Sequence, residues 1–148
     1  MNLWIDIARD SLRNVLSLSD ILFINESEAS LLSGKKTIYD SASLFLDLGL
    51  KIVVVKKGGQ GAELFSNEKN IKIGAYKVNV VDPTGAGDVF GGAFISTLAQ
   101  GGTLSDSLVN GSAMASFCVQ GFGTSCILNV SEEELEHRKS NLYSTLSS

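Results

Sequence analysis

The hydrophobic and polar positions in the first third of the chain follow two different periods. Short, nearly continuous apolar runs, one of which contains three consecutive valines, are typical of buried parallel strands. They lie at residues 3–6, 21–24 and 51–55. Between and around them, amphipathic or short capped segments predict helices. These helices lie at residues 11–19, 26–32 and 39–48.

The remaining chain is first β-rich and then helical. Gly58, Gly59 and Gly61 predict a turn, and residues 62–65 and 71–80 predict β-structure. Three helices are predicted at residues 89–100, 105–119 and 132–146. Ser131 precedes three glutamates, which is the pattern of a helix N-cap with acids in the first turn. Alternating strands and helices predict an α/β fold on a mainly parallel sheet, and we expect residues 1–148 to form a single domain.

The composition excludes several classes of protein. Hydrophobic residues make up 44% and charged residues 19% of the 148 residues, which is ordinary for a globular protein. The net charge of −4 argues against nucleic acid and anionic membranes as partners, because both favour clustered lysine and arginine. No apolar run is long enough to span a bilayer, and no signal peptide is evident, so we expect a cytoplasmic protein. Cys118 and Cys126 are then expected to be buried thiols.

The most informative segment is Asp-Pro-Thr-Gly-Ala-Gly-Asp at residues 82–88, which leads into an apolar helix. The N–H groups at the start of a helix bind phosphate readily. A carboxylate beside them, Asp88, suits removal of a proton from a hydroxyl that attacks a bound phosphoryl group. Backbone N–H groups that bind phosphate, with a carboxylate beside them, are the minimum set of groups that a small-molecule kinase needs. The alternative is a purely structural strand-to-helix junction, in which Gly91 and Gly92 serve close packing.

Two other phosphate-binding motifs do not fit the segment. The chain contains no Gly-x-x-x-x-Gly-Lys-Ser/Thr run, so a Walker A loop is excluded. In a dinucleotide fingerprint, Phe90 would occupy the position of the third glycine. The next suitable acid, Asp106, begins a predicted helix and does not end a strand.

Residues 81–94 as a whole closely resemble the C-terminal signature of the pfkB (ribokinase-like) carbohydrate kinases. The resemblance implies a three-layer α/β/α ribokinase-like fold, present as its C-terminal portion without the N-terminal lid. It implies that Asp88 is the catalytic base. It also implies that the N–H groups of Gly85, Ala86 and Gly87, with that of Asp88, form the anion hole for the γ-phosphoryl group of ATP.

The resemblance extends to the segment Asn25-Glu26-Ser27-Glu28, which is similar to the Asn-x-x-Glu element of the same family. By that resemblance, Asn25 and Glu28 support Mg²⁺ and phosphate binding, and oxygen ligands of this kind suit Mg²⁺. The alternative is structural, with Asn25 capping a helix and Glu28 at its third position.

Residues 53–62 resemble the family's nucleotide-side strand and turn, in which Lys57, Gly59 and Gly61 are the implied ATP contacts. Lys56 and Lys57 are both candidates to reach phosphates, and both are also candidates for exposed positions at the end of a strand. Asn110 and Gly123 are implied contacts to ATP further along the chain, in a region rich in small residues. His137 is predicted to lie on an exposed helix face.

The expected function is therefore transfer of the ATP γ-phosphoryl group to a hydroxyl of a sugar or nucleoside, with ATP and Mg²⁺ as cofactors. Family members run to about twice this length, so we expect a fragment that lacks the sugar-positioning half and associates as a homo-oligomer. Two alternatives remain: a non-catalytic nucleotide-binding or assembly fragment, and a dinucleotide-binding oxidoreductase domain.

Overall fold

The computed structural model describes residues 9–123 and 125–148, in which helices alternate with strands and then predominate. The strands are β1 Ile21–Asn25, β2 Ile52–Lys56, β3 Ala62–Ser66 and β4 Asn70–Ile73. The helices are α1 Arg9–Ser17, α2 Glu26–Ser33, α3 Ile38–Asp47, α4 Ala86–Ala99, α5 Leu104–Cys118, α6 Ser125–Leu128 and α7 Glu132–Tyr143. A 3₁₀ turn, Gly58–Gln60, joins β2 to β3.

Most of the predicted elements are present, with boundaries shifted by a few residues. The short helix α6 was not predicted, and the strand predicted at residues 3–6 lies outside the described residues. The β-structure predicted at residues 71–80 is wrong beyond Ile73. Residues 74–80 lie in no helix or strand, and the next residue, Val81, donates its N–H to the carbonyl of Val119 at the end of α5.

The strands form one sheet in the order β1-β2-β3-β4. Strand β1 pairs parallel to β2 in a register that runs from Ile21 opposite Ile52 to Asn25 opposite Lys56. A parallel pair needs a crossover, and helices α2 and α3 supply it. Only three residues separate β3 from β4, which is a hairpin length.

The chain divides into two compact units. The first runs through Lys57 and adds Glu63–Asn70. The second comprises Gly58–Ala62 and Ile71–Ser148.

The first unit is built on an apolar core between the sheet and its helices. Val53 and Val55 of β2 are fully buried and pack with Phe45 of α3, whose side chain is 1% exposed. Burial of one such side chain contributes about 1.5–3 kcal/mol. The other members of the cluster are Leu16, Leu22, Ile24, Ala29, Leu32, Ala42, Leu50 and Phe65.

The second unit is organised around helices α4 and α5, which pack closely. A β-carbon at Gly111 would lie 3.0 Å from the Phe90 carbonyl and 3.3 Å from its ring, so glycine permits this approach. Gly92, by contrast, has no atom within 4 Å of a β-carbon built on it, so it does not serve close packing among the described residues.

Arg138 of α7 is held from two sides in the second unit. Its guanidinium lies 3.4 Å from the Phe117 ring centroid and 5.0 Å from that of Tyr76. It also donates to Ser116 Oγ at 2.7 Å and to Gln120 Oε1 at 2.6 Å. A stacked and hydrogen-bonded guanidinium of this kind fixes α7 against the last turn of α5.

A second link between these helices joins Tyr143 to the start of α5. The Tyr143 hydroxyl donates to Asp106 Oδ1 at 2.6 Å, while Asp106 Oδ2 accepts from the Thr103 N–H and hydroxyl in a capping box. These bonds lower the pKa of Asp106, with the Tyr143 hydroxyl as the largest cause. Burial and the Asp106 carboxylate raise the pKa of Tyr143 to about 12.

No helix among the described residues has both the length and the apolar character needed to cross a membrane.

The Tyr143–Asp106 bond predicts a pH window for stability. Because the pKa of Asp106 is lowered, its carboxylate stabilises the folded protein above pH ~4. Because the pKa of Tyr143 is raised, its phenol stabilises the folded protein below pH ~10, and this contribution is lost as pH rises through about 12. Tyr143→Phe should therefore destabilise the protein by about 1 kcal/mol at pH 7, less to the extent that solvent screens the half-exposed pair. Urea unfolding at pH 7 and pH 3 tests this. An equal loss at both pH values would contradict it.

Candidate functional site

Residues 82–88 form a tight turn that starts helix α4. The Ala86 N–H donates to the Pro83 carbonyl at 3.2 Å, which closes a four-residue turn. Gly85 has φ 79° and ψ −9°, the geometry of the third residue of a type II turn, which strongly favours glycine. Gly85 is also the residue that caps α4, and no side chain caps the helix in its place.

Asp82 stabilises the same turn from its start. Its Oδ1 accepts the Thr84 N–H at 2.9 Å, the side-chain-to-backbone bond that aspartate commonly makes in turns. This backbone bond, followed by one from the Thr84 hydroxyl, lowers the pKa of Asp82. Asp82 is therefore a turn-forming residue.

The C-terminal end of α5 anchors the turn. The Val119 carbonyl accepts the N–H groups of Val81 at 2.7 Å and of Asp82 at 3.2 Å. The Cys118 thiol contacts the Thr84 carbonyl at 3.7 Å. Burial, with the charge of Asp82 as the next cause, raises the pKa of the Cys118 thiol. Both cysteines were predicted to be buried thiols, which is confirmed for Cys118 and wrong for Cys126, whose side chain is partly exposed. The contact of Cys118 with the turn was not foreseen.

Four N–H groups at the start of α4 were predicted to form an anion hole, and two of them already have local partners. Ala86 donates to Pro83, and Asp88 donates to the Gly85 carbonyl at 3.0 Å. In residues 9–123 and 125–148, the N–H groups of Gly85 and Gly87 donate no hydrogen bond. These two donors are therefore the ones that the turn leaves for an anion.

Asp88 lies in the first turn of α4, and its side chain is exposed. An exposed carboxylate at this position is accessible to an incoming hydroxyl. It stands three residues after Gly85, next to the two available N–H donors. The turn therefore brings together a candidate base and a candidate anion-binding group.

In the first unit, Asn25 and Glu28 form a reciprocal capping box at the start of α2. Asn25 Oδ1 accepts the Glu28 N–H at 2.8 Å, and Glu28 Oε2 accepts the Asn25 N–H at 3.2 Å. The structural alternative is thus present, and Asn25 Oδ1, the single oxygen of that side chain, also accepts the Ser27 hydroxyl at 2.8 Å. The capping box lies at the carboxyl end of β1. Within the part of the chain described, no group of three or more His, Cys, Asp and Glu side chains could hold a metal ion.

Lys57 is paired with a residue that sequence reasoning missed. Its Nζ lies 3.4 Å from Oε2 of Glu63, whose side chain is 1% exposed, while that of Lys57 is 24% exposed. Nothing local marks Glu63 as buried, because a single glutamate in a short strand is more often at the surface. The burial of Glu63 is evident only from the folded structure, in which it lies in strand β3 of the sheet.

Two of the glycines predicted to contact ATP, Gly59 and Gly61, lie in the loop between β2 and β3. Gly59 belongs to the 3₁₀ turn, and no atom lies within 4 Å of a β-carbon built on it. Gly61 has φ 97°, and a β-carbon there would collide with the backbone of Ile73 and Gly74. Gly61 is therefore required by packing, while Gly59 has open space beside it.

Asn110 and Gly123 also belong to the second unit. The Asn110 amide donates to Thr97 Oγ1 at 2.9 Å and thereby bridges α5 to α4. Thr97 stands nine residues after Asp88 on the same helix, which corresponds to ~13 Å along its axis. Gly123 has φ 62° and no atom within 4 Å of a β-carbon built on it.

A shallow concavity of about 310 Å³ in the second unit contains none of the predicted site residues. It is lined by Tyr76, Glu133, Glu134, His137 and Arg138. His137 is exposed on α7, as predicted.

Comparison with known proteins identifies the family. The model of the pfkB family carbohydrate kinases matches residues 2–129, which is most of the chain. The chain belongs to the pfkB family of carbohydrate kinases. The resemblance inferred from residues 81–94 is thereby confirmed.

Three relatives illustrate the match. A ribokinase of Staphylococcus aureus is 40% identical over 125 residues, which cover 80% of this chain and 41% of that protein. A candidate ribokinase II from E. coli, solved in complex with ATP and Mg²⁺, has a TM-score of 0.80 and 36% identity and covers 90% of this chain and 43% of its own. A ribokinase of Arabidopsis thaliana complexed with ribose and ATP has a TM-score of 0.74 and 32% identity, with coverage of 86% and 43%.

The pfkB-family assignment confirms the ribokinase-like α/β fold predicted from the sequence. The chain spans less than half the length of these relatives, with coverage of 41% of the S. aureus ribokinase.

The turn of this pfkB-family chain depends on the backbone freedom of Gly85. Gly85→Ala should destabilise the protein by about 1–2 kcal/mol, because a side chain disfavours the left-handed conformation. The new β-carbon would meet only the Cys118 sulfur, at an ordinary 4.0 Å, so the cost comes from the backbone. Gly85→Asn is the matched control, since asparagine tolerates this region and should cost less. Chemical denaturation measures both, and equal stability of the alanine variant and the parent would contradict the turn assignment.

Proposed function

We propose that the chain carries the nucleotide-binding and phosphoryl-transfer elements of an ATP-dependent sugar or nucleoside kinase. The observation that carries the proposal is the start of α4, where the N–H groups of Gly85 and Gly87 are available beside the exposed carboxylate of Asp88. Relatives solved with ATP support this choice of nucleotide.

In the proposed mechanism, the donors at the start of α4 stabilise negative charge on the transferred γ-phosphoryl group. Such preorganised donors act without reorganisation during the reaction. Asp88 accepts the proton of the acceptor hydroxyl as its oxygen attacks phosphorus. Phosphoryl transfer depends mainly on positioning and electrostatic stabilisation, and both are properties of this turn.

The donor set of Asn25 and Glu28 fits Mg²⁺. A carboxylate and an amide oxygen are hard ligands, and Mg²⁺ commonly binds one or two carboxylates together with waters and substrate phosphates. A complete protein cage is therefore not needed. Bound Mg²⁺ would neutralise charge on the phosphates of ATP. In the same proposal, ATP is contacted by Gly59, Gly61, Asn110 and Gly123. The proposed protein is cytoplasmic. It is also proposed to associate with copies of itself.

Nucleotide affinity tests the proposal directly. Isothermal titration of the chain with Mg–ATP should give saturable binding, and NAD(P) should give none. Omission of Mg²⁺ should weaken ATP binding, since the phosphates would keep their full charge. Binding of NAD(P) without binding of ATP would exclude the kinase function and favour a dinucleotide-binding domain.

A second candidate function is nucleotide binding without turnover. The coverage of the relatives favours it, because the matched region spans only 41–43% of their length. A base and an anion hole give little rate enhancement unless the acceptor hydroxyl is held in place. Assay of the chain against a panel of sugars and nucleosides distinguishes the two candidates.

Asp88→Asn tests the assignment of the base. Any phosphoryl transfer by the chain should fall by about 10²–10⁴-fold, because the amide cannot accept the proton. Affinity for Mg–ATP should change little, since the backbone donors remain. Asp47→Asn is the matched control, as it removes the same charge from an exposed position in α3. Equal activity of Asp88→Asn and the parent would exclude Asp88 as the base.

A further inference from the structure

The loop between β2 and β3 packs against the end of β4, within the second unit. A β-carbon on Gly61 would overlap the Ile73 carbonyl oxygen and lie 2.9 Å from the Gly74 α-carbon. The Gly61 N–H also donates to the Gly58 carbonyl at 3.0 Å, which closes the loop. Because these contacts join backbone atoms, with no side chain to adjust, the position of Ile73 and Gly74 determines where the loop can lie.

The segment that follows α7 holds the end of β4 in place. The Gly74 N–H donates to Thr145 Oγ1 at 3.0 Å, and the Thr145 hydroxyl donates to the Leu142 carbonyl at 2.7 Å. A β-carbon on Gly74 would lie 3.2 Å from that of Thr145, so the two residues are in close contact. Ser147 and Lys72 exchange backbone hydrogen bonds of 2.8 and 3.1 Å in an antiparallel bridge. Thr145 therefore joins the end of β4 to the last turn of α7.

Helix α7 is a firm anchor for this segment, because it is attached to α5 at two places. The Arg138 guanidinium stacks on Phe117, and the Tyr143 hydroxyl donates to Asp106. Leu142, whose carbonyl accepts the Thr145 hydroxyl, is 1% exposed. The contacts thus run without interruption from the packed helix α7, through the Thr145 hydroxyl and the end of β4, to the loop that contains Gly61.

We propose that Thr145 is a positioning residue for nucleotide binding, which holds the end of β4 and thereby keeps the β2–β3 loop in the conformation that contacts ATP. The inference rests on the proposed function, in which Gly59 and Gly61 contact ATP. Thr145 acts through Gly74 and not by contact with the nucleotide. The benefit is preorganisation, because a loop that is already ordered loses less conformational freedom when the ligand binds.

Replacement of the hydroxyl tests the inference. Thr145→Val keeps the shape of the side chain, and its affinity for Mg–ATP in isothermal titration should fall about fivefold, which corresponds to one hydrogen bond. Thr145→Ser keeps the hydroxyl and should bind Mg–ATP within about twofold of the parent.

The matched control is the same substitution at an exposed threonine of the first unit. Thr37 Oγ1 accepts the Asp40 N–H at 3.1 Å and caps α3. Thr37→Val should therefore lower stability by a similar amount, because a helix cap is lost. It leaves the bond between Gly74 and Thr145 intact, so affinity for Mg–ATP should stay within about twofold of the parent.

Amide hydrogen exchange of Gly61, measured by NMR without nucleotide, reports on the loop itself. Its N–H is bonded to Gly58, and exchange there requires only local opening. Thr145→Val should accelerate this exchange about fivefold or more, and Thr37→Val should leave it within about twofold. The measurement thus separates positioning of the loop from a general loss of stability.

Three results would overturn the inference. The first is unchanged Mg–ATP affinity in Thr145→Val, and the second is an equal loss in Thr145→Ser, which keeps the hydroxyl. The third is an equal loss in Thr37→Val, which would reduce the role of Thr145 to general stability. Failure of the unaltered chain to bind Mg–ATP would instead exclude the proposed function, and the exchange rate of Gly61 would still decide whether Thr145 holds the loop.

Discussion

The carbonyl group of Val119 determines where the signature turn lies. It ends α5, accepts the N–H groups of both Val81 and Asp82, and so fixes the two residues that enter the turn. Carbonyls at the end of a helix lack partners within the helix, and here the turn supplies them. Everything that positions α5 therefore also positions the N–H donors of α4. The relevant contacts are Gly111 against Phe90, the Asn110 bridge to Thr97, and Arg138 stacked on Phe117.

The turn itself was predictable because its signals are local. A proline and a glycine have restricted or unusual backbone preferences, and an aspartate at the start of the turn supplies a side-chain acceptor. The capping box at Asn25 was predictable for the same reason, since its two hydrogen bonds join residues three apart. The pfkB signature added roles to these residues, but the geometry follows from short-range chemistry.

Contacts between residues far apart in sequence could not be predicted. Arg138 of α7 pairs with Ser116 of α5 and with Gln120 just beyond the end of α5, and Tyr143 of α7 pairs with Asp106 of α5. The same limit explains the error at residues 74–80. Alternating valines there are typical of a strand, yet a strand also needs a partner, and the N–H of Val81 finds one at a helix end. Periodicity reports which side chains are apolar, and it does not report which backbone groups pair.

The exposure of Asp88 sets a physical limit on what this turn can do by itself. Donors aimed at a developing charge are worth most in a site that excludes water, where the effective dielectric constant is low. In water, the same N–H groups and carboxylate exchange solvent partners, and the net gain per hydrogen bond falls to about 1 kcal/mol. In the proposed function, nucleotide affinity would tolerate this loss, because the phosphates of ATP already carry full charge when they bind. Catalysis tolerates it less, because its stabilisation must appear only as charge moves in the transition state. In the proposed function, the turn would therefore be better suited to hold a phosphoryl group than to transfer it until a bound acceptor displaces water from Asp88.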